Sequence, residues 1–151
     1  LSSIKEKTDI TYKLRCYYPD LENEQVVYKE FDVSFNTNDE IEPIYTKYLQ
    51  NSPEESISSV FGENVKLKSF SFNPEEEVVV VDLSKNFIAE MNLGSGYESL
   101  LIQSIVNTVG FNFGVDKVVI TLDGALYESG HFQLVEGDYF EVNYENEVPL
   151  E

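Results

Sequence analysis

Hydrophobic residues alternate with mostly polar ones near the start of the chain, and this alternation constrains the fold more than any other feature. The apolar positions are every second residue of a nine-residue segment: Ile10, Tyr12, Leu14, Cys16 and Tyr18. A period of two residues is typical of a strand with one buried face. The segment ends at Pro19-Asp20, and the alternation resumes over residues 27–35. We therefore predict that these two segments pair as an antiparallel hairpin.

Two later segments change to the helical period. The first follows Thr37-Asn-Asp-Glu40, which has the form of a capping box, and its apolar residues share one helix face: Ile41, Ile44, Tyr45, Tyr48 and Leu49. The second follows another capping box, Ser95-Gly-Tyr-Glu98, and has the most regular apolar stripe in the chain: Tyr97, Leu100, Leu101, Ile105 and Val109. We predict that Asn51-Ser52-Pro53 ends the first helix and that Gly110 and Gly114 close the second.

Further strands are predicted in the second half of the chain. Residues 65–72 alternate, whereas residues 77–83 form a β-branched strand that is apolar on both faces through Val78 to Val81, which favours a central strand. Residues 117–122 form another apolar run, and Asp123-Gly124 is typical of a tight turn.

Three segments carry weaker signals. Residues 54–61 fit a short turn of helix stopped by Gly62, and Ser84 is placed to cap a short helix that carries Phe87, Ile88 and Met91. The acidic segment after Val135 has a weak alternation, which leaves a terminal edge strand and a tail as alternatives.

The order of these elements indicates the α+β class. A chain of 151 residues fits one core, and the elements allow a two-layer αβ sandwich of one mixed sheet and two main helices. We divide the chain into a polar N-terminal lead (residues 1–9), a domain (residues 10–135) and an acidic C-terminal segment (residues 136–151).

Charge excludes several classes of partner. The chain has 28 acidic and 10 basic residues and a formal net charge of −18, so its field repels phosphate backbones and anionic lipid surfaces. We therefore expect no nucleic-acid binding and no direct binding to a membrane surface. No apolar run approaches the roughly 18 residues of a membrane-spanning helix.

The sequence nominates no catalytic, cofactor-binding or metal-ligating residue, and we expect no cofactor. The lone Cys16 lies at an inward strand position, where a thiol is usually a small core residue. The single histidine, His131, is interpreted as a loop residue because no Ser or Cys is an evident partner. Gly94-Ser-Gly96 lacks the third glycine of a dinucleotide-binding loop and is interpreted as part of a helix cap.

Acidic residues are too abundant to identify a carboxylate-based site. Glu75-Glu76-Glu77 is interpreted as a solvated run at a turn that discourages edge-to-edge sheet pairing. Asp82 and Asp123 each end a predicted strand, where Asp is ordinarily a turn or cap residue. A hydrolase that uses two carboxylates therefore has the least support among the functions considered.

Five sequence blocks together resemble the GerMN domain of the GerM family. The three longest are Val78-Val-Val-Val-Asp82-Leu-Ser84, Ser104-Ile-Val-Asn-Thr108-Val and Val115-Asp-Lys-Val-Val-Ile-Thr-Leu-Asp123-Gly124. Tyr17-Tyr18-Pro19-Asp20 looks like the family's opening strand and bend, and Ser129-Gly130-His131-Phe132 resembles its closing element. The resemblance covers residues 10–134. The recognisable Asn107 and Thr108 are interpreted as capping and packing residues.

The resemblance implies an extracytoplasmic module of Gram-positive, typically endospore-forming bacteria. The family is linked to sporulation and spore germination, is often anchored to the membrane as a lipoprotein, and is not known as enzymatic. It implies an architecture similar to the ring-building-motif domains of the channel between mother cell and forespore. The full-length precursor would then be membrane-anchored, through an anchor absent from this chain.

Our leading hypothesis is a noncatalytic protein-interaction domain. We expect a protein partner with a basic surface in the cell envelope, no small-molecule substrate, and a monomer in isolation because the acidic surface opposes self-association. The alternative is a cell-wall or carbohydrate binding module, in which Tyr17, Tyr28 and Tyr127 would stack on sugar rings.

Overall fold

The computed structural model describes residues 9–36, 40–91, 95–145 and 147–150. Within these residues the chain forms eight strands and three helices. The strands are β1 (Asp9–Asp20), β2 (Gln25–Asn36), β3 (Leu67–Asn73), β4 (Val78–Leu83), β5 (Lys117–Leu122), β6 (Ala125–Leu126), β7 (Phe140–Glu141) and β8 (Val148–Pro149). The helices are α1 (Glu42–Gln50), α2 (Asn86–Glu90) and α3 (Ser95–Phe113).

The predicted hairpin is confirmed and forms most of the first sheet. β1 and β2 pair antiparallel in continuous register, from Asp9 opposite Asn36 to Asp20 opposite Gln25. β8 adds a short parallel strand on the other side of β2, so the strand order is β1-β2-β8.

The second sheet contains the valine-rich strand at its centre, as predicted. Its order is β3-β4-β5-β6, and β7 also pairs with β5. β4 and β5 are parallel to each other, whereas the other pairs are antiparallel. Asp123 and Gly124 both have positive φ, at 48° and 87°, which makes the predicted tight turn between β5 and β6.

The α+β class is confirmed, although the strands form two sheets where the sequence predicted one mixed sheet. The outer edge of β1 bonds to helix α3 instead of another strand. The Tyr17 N–H donates to Thr108 Oγ1 at 2.8 Å. Asn112 accepts from the Arg15 N–H at 3.2 Å and donates to the Arg15 carbonyl oxygen at 2.7 Å. These side chains satisfy the backbone groups that a further strand would use.

Helix α1 buries the face that its sequence pattern predicted. Tyr45 and Leu49 are buried, and the helix ends at Gln50, before the predicted stop. Ile41 is the N-cap residue and makes no side-chain capping bond. The capping box predicted here includes residues 37–39, which lie outside the described residues.

Helix α3 ends at Phe113 and is closed by Gly114, as predicted, whereas the prediction that Gly110 also helps to close it is wrong. Gly114 has φ +71°, a conformation that favours glycine after a helix. Gly110 lies within the helix and permits a close approach instead: a Cβ there would clash with Val142 Cγ1 and lie 2.8 Å from the Val115 carbonyl oxygen. The sequence thus has a glycine at Gly110 for packing and one at Gly114 for termination.

Residues 54–61 form bends and turns, so the predicted turn of helix is wrong. The N–H groups of Val60 and Phe61 both donate to the Leu49 carbonyl oxygen at 2.9 Å. Because another element accepts these bonds, the segment has no need of a helical bonding pattern.

Ser84 does not cap the short helix α2, contrary to the prediction. Lys85 is the N-cap residue and makes no side-chain capping bond. Ser84 Oγ instead accepts a hydrogen bond from the Lys66 N–H at 2.8 Å, which joins the end of β4 to the segment before β3.

The core lies where α3 and α1 pack against the sheets. Its largest fully buried side chains include Tyr17, Tyr18, Tyr127, Phe61, Phe87 and Leu14. In the part of the chain that the structure describes, no helix has the length and apolarity needed to cross a membrane.

The C-terminal segment contributes a strand to each sheet. β7 pairs with the first residues of β5, and β8 pairs with β2. Between these two strands, Asn143 bonds to Asn107 of α3, so the segment contacts both sheets and this helix.

Candidate functional site

Asn107 and Thr108 of α3 hold backbone that belongs to other segments. Both side chains are fully buried. Asn107 Nδ2 donates to the Asn143 carbonyl oxygen at 2.8 Å, and Asn107 Oδ1 accepts from the Asn143 N–H at 2.9 Å. Together with the bond from Tyr17 to Thr108, these contacts fix β1 and the C-terminal segment to α3. Two of the most recognisable residues in the sequence therefore maintain the scaffold.

Arg15 joins β1, β2, α3 and the C-terminal segment. Its guanidinium carbon lies 4.0 Å from the ring centroids of both Tyr28 and Phe111. Arg15 Nη2 lies 2.8 Å from Glu30 Oε2, and Arg15 Nη1 lies 3.6 Å from Glu147 Oε1. This arrangement combines cation–π contacts with two ion pairs on a side chain that is mostly shielded from water.

The neighbours of Arg15 stabilise its positively charged form. Burial acts to lower the pKa of the guanidinium, but hydrogen bonds with Tyr17 and Glu30 outweigh it, so the net pKa is raised. The sequence interpretation missed this site. Its available signal was that the only arginine of the chain lies in the middle of an alternating, aromatic-rich strand.

Cys16 is a core residue, as predicted. Its side chain is 0% exposed, and burial raises the pKa of the thiol to about 12, although a contact with Tyr18 opposes this. A thiol in this state has little thiolate at neutral pH and is a poor nucleophile.

His131, Glu98 and Tyr127 form a cluster. Among the described residues, it is the cluster whose residue types come closest to those of a catalytic site. Tyr127 donates its hydroxyl proton to Glu98 Oε2 at 2.5 Å, and His131 Nδ1 lies 3.4 Å from Glu98 Oε1. Glu98 and Tyr127 are buried, whereas the His131 side chain is 58% exposed. Burial, followed by the bond to Glu98, raises the pKa of Tyr127.

This cluster connects the loop after β6 to the start of α3. Ser129 Oγ accepts from the N–H groups of His131 and Phe132, both at 3.2 Å, so its hydroxyl oxygen orders the loop. Glu98 was predicted to complete a capping box, but its carboxylate contacts Tyr127 and His131. The side chain of Ser95, the other member of that box, lies outside the described residues.

The acidic residues that end β4 and β5 have turn-stabilising roles. Asp82 Oδ1 accepts from Thr121 Oγ1 at 2.6 Å and from the Gly124 N–H at 2.8 Å. Lys68 Nζ lies 3.0 Å from Asp123 Oδ1, and this hydrogen bond lowers the pKa of Asp123. Among the described residues, no group of three or more His, Cys, Asp or Glu side chains is placed to hold a metal ion.

Asp20 stabilises the turn between β1 and β2. Its carboxylate accepts from the Asn23 N–H, from Asn23 Nδ2 and from Gln25 Nε2 at 3.2, 2.8 and 3.1 Å. Burial acts to raise the pKa of Asp20, but these hydrogen bonds outweigh it and the net pKa is lowered.

An open groove with a volume of about 720 Å³ lies on the outer face of the second sheet. We call it the outer groove. Its floor is formed by apolar side chains of three strands and the loop before β7: Val78, Val80, Val119, Leu126 and Tyr139. Its rim carries five acidic side chains and one basic one: Glu75, Glu76, Glu77, Glu136, Asp138 and Lys117.

Two of the three tyrosines predicted to stack on sugar rings are not available for that role, because Tyr17 and Tyr127 are both 0% exposed. Tyr28 is half-buried and packs against Arg15 and Tyr17. The carbohydrate-binding alternative therefore loses most of the side chains that motivated it.

Three solved structures share the fold of this chain. The tandem GerMN domains of the sporulation protein GerM from Bacillus subtilis align with a TM-score of 0.66 and 17% identity, covering 87% of this chain and 46% of that one. This chain thus spans less than half of that tandem protein. The first GerMN domain alone aligns with a TM-score of 0.59 and 15% identity, covering 90% and 100%.

The third structure is a candidate lipoprotein from Clostridium perfringens. It aligns with a TM-score of 0.51 and 21% identity, covering 87% of each chain. No curated protein sequence matches this chain. A family model described as "Germane: Sporulation and spore germination" matches residues 15–128, which is most of the domain. The chain therefore belongs to the Germane family of sporulation and spore germination domains.

Proposed function

We propose that this domain is a noncatalytic protein-interaction module that acts outside the cytoplasmic membrane in sporulation or spore germination. Its partner is a cell-envelope protein with a basic surface, and the complex contributes to an envelope assembly or to the channel between mother cell and forespore. The full-length protein is anchored in the membrane. Membership of the Germane family supports the biological process, and the candidate lipoprotein with the same fold supports the location.

The outer groove carries the proposal of protein interaction. Its floor is apolar and open, with Leu126 36% and Tyr139 42% exposed. Exposed apolar patches rimmed by polar residues are typical of protein-interaction sites. The buried polar residues, by contrast, serve the scaffold: Asn107, Thr108 and Glu98 each bond to another segment of the chain.

The noncatalytic part of the proposal follows from how the reactive groups are used. Cys16 is buried with a raised pKa, and the Ser129 hydroxyl accepts two backbone hydrogen bonds. His131 contacts Glu98, which also accepts the Tyr127 proton. None of these groups has the geometry of a nucleophile with its base.

Photo-crosslinking in sporulating cells of the source organism tests this function. A photoreactive phenylalanine analogue replaces Tyr139 in the full-length protein, and a matched variant carries the analogue in place of exposed Glu55. We expect a discrete crosslink to an envelope protein from position 139 and none from position 55. Turnover of peptidoglycan fragments by the purified domain would contradict the noncatalytic assignment.

A further inference from the structure

We propose that the outer groove binds an extended segment of a partner protein in which apolar residues alternate with Lys or Arg. This inference rests on the proposed function and adds the binding surface and the chemistry of the segment.

The parallel strands β4 and β5 have the composition of strands that are buried on both faces. Residues 78–81 are four consecutive valines, and residues 118–120 are Val, Val and Ile. Such continuous β-branched runs are typical of parallel sheets covered on both sides. In this domain the inner positions Val79, Val81 and Val118 are buried in the core, whereas Val80 and Val119 line the open groove. The outer face therefore has the composition of an interface without a covering layer from the described residues.

The rim specifies the charge of the occupant. Five carboxylates and one ammonium group surround the apolar floor, so a basic segment gains favourable electrostatic energy there while an acidic segment is repelled. Lys117 shows how the groove accommodates a cation, because its Nζ lies 5.1 Å from the centroid of the Tyr139 ring. A partner Lys or Arg can make the same kind of contact on the exposed part of this ring.

The position of the carboxylates favours an extended segment. Glu75, Glu76 and Glu77 belong to the turn between β3 and β4, and Glu136 and Asp138 belong to the loop before β7, so two separate segments bring carboxylates to the groove. An extended chain on this floor would place every second side chain on the valines, and Lys or Arg at the intervening positions has a side chain long enough to bend toward the carboxylates of the rim.

The overall charge argues against two other occupants. A second copy of this chain would bring another formal charge of −18, and anionic nucleic acid would be repelled. A basic protein segment is the occupant that matches both the floor and the rim.

Peptide binding to the 151-residue chain tests this inference. The probe is a fluorescein-labelled peptide of alternating Lys and Val, measured by anisotropy at about 0.1 M salt, where screening still permits short-range attraction. We expect saturable binding of the Lys-Val peptide and no binding of a matched Glu-Val peptide. A Lys-Ser peptide should bind at least about tenfold more weakly, because it cannot bury apolar surface on the floor. Equal binding of the Lys-Val and Lys-Ser peptides would overturn the inference.

Paired variants locate the binding site. Glu76→Gln with Glu136→Gln removes two rim charges and should weaken binding about five- to tenfold. Glu22→Gln with Glu55→Gln removes the same charge from exposed residues outside the groove and should change affinity less than about twofold. If both pairs of substitutions reduce the affinity equally, the peptide is attracted by the net negative charge of the chain and not by the groove, and the inference is overturned.

The floor is tested by Val119→Thr, which keeps the shape and β-branching of the side chain. It should weaken binding while leaving the thermal unfolding curve of the chain nearly unchanged, and the methyl resonances of Val80 and Leu126 should shift when the peptide is added to the parent chain. Shifts confined to other surfaces, or groove-dependent dimerisation without peptide, would overturn the inference.

The crosslinking experiment separates this inference from the proposed function. If an envelope protein is captured and the Glu76→Gln, Glu136→Gln pair leaves the capture unchanged, the groove assignment fails and the proposed function stands. If no envelope protein is captured from position 139 or from any other exposed position, the proposed function itself fails.

Discussion

The two sheets of the domain differ in how much of their surface is covered by other parts of the chain. In the first sheet, Thr108 and Asn112 bond the free edge of β1, and Arg15 is enclosed between two aromatic rings. In the second sheet, Val80 and Val119 line an open groove. The polar side chains of α3 thus close one sheet, and acidic side chains surround the uncovered face of the other. Under the proposed function, the first sheet maintains the scaffold and the second presents the interaction surface.

Thiol accessibility should separate the two sheets by the largest margin. Cys16 in the first sheet is buried, and its thiol pKa is raised to about 12, so alkylation requires an opening of the structure. We expect iodoacetamide to react about a thousandfold more slowly with Cys16 than with the new thiol of a Cys16→Ala, Val119→Cys chain. Mass spectrometry over time at about pH 8 measures both rates.

A denatured sample controls for intrinsic reactivity, since the two thiols should then react at similar rates. Similar rates in the native samples would show that the first sheet opens readily, and the proposed division between scaffold and interaction surface would be lost.

Replacing Arg15 should produce the largest loss of stability among the scaffold changes. Arg15→Met leaves Glu30 and Glu147 without their cation and removes the cation–π contacts, so we expect the free energy of unfolding to fall by about 3 kcal/mol. Urea denaturation measures the change.

Lys13→Met on the same strand is the matched control. Lys13 pairs with Asp32 at 3.4 Å, but the two side chains are 63% and 76% exposed. Its replacement should change stability by less than about 0.5 kcal/mol. If the two variants lose equal stability, Arg15 does not have the joining role described for it.

Closure of the β1 edge is tested by Thr108→Val. This change keeps the side-chain shape but leaves the buried N–H of Tyr17 without its acceptor, so we expect a loss of about 2 kcal/mol and faster hydrogen exchange at the Tyr17 amide.

Thr11→Val provides the control on the same strand, because the hydrogen bond between Thr11 Oγ1 and the Ser34 hydroxyl, at 3.1 Å, is exposed to solvent. The free energy of unfolding of this variant should stay within about 0.5 kcal/mol of that of the parent. Unchanged exchange at the Tyr17 amide in Thr108→Val would argue that α3 does not protect the strand edge.

Local periodicity was sufficient to predict most elements of the fold. The alternation from Ile10 to Tyr18 predicted β1, and the Asp123-Gly124 pair predicted the turn between β5 and β6. These patterns reflect burial of one face and backbone conformation, both of which act over a few residues. The same patterns could not predict that the strands divide between two sheets, because that depends on bonds from Thr108 to a strand 91 positions away.

Long-range contacts also explain why the candidate site was only partly predictable. The sequence placed Glu75, Glu76 and Glu77 at a solvated turn, and they do lie there. It could not place them beside Glu136 and Asp138, since only the pairing of β7 with β5 brings the two loops to one groove. For Arg15, the strand pattern indicated which face the side chain occupies, but the surrounding rings come from β2 and α3.

The turn that joins β1 to β2 should show the smallest effect, and its effect depends on pH. Because hydrogen bonds lower the folded-state pKa of Asp20 below its ordinary value of 3.8, the carboxylate stabilises the fold above that pH, and this stability is lost as the pH falls through the folded pKa. Asp20→Asn should therefore cost about 1 kcal/mol at pH 7 and flatten the acid side of the stability curve below about pH 4. Glu22→Gln in the same turn controls for net charge and should stay within about 0.5 kcal/mol of the parent at pH 7. If the stability of Asp20→Asn and that of the parent fall equally steeply as the pH is lowered, the Asn23 and Gln25 amides do not favour the ionised carboxylate. The hairpin turn of the first sheet would then depend on backbone geometry alone.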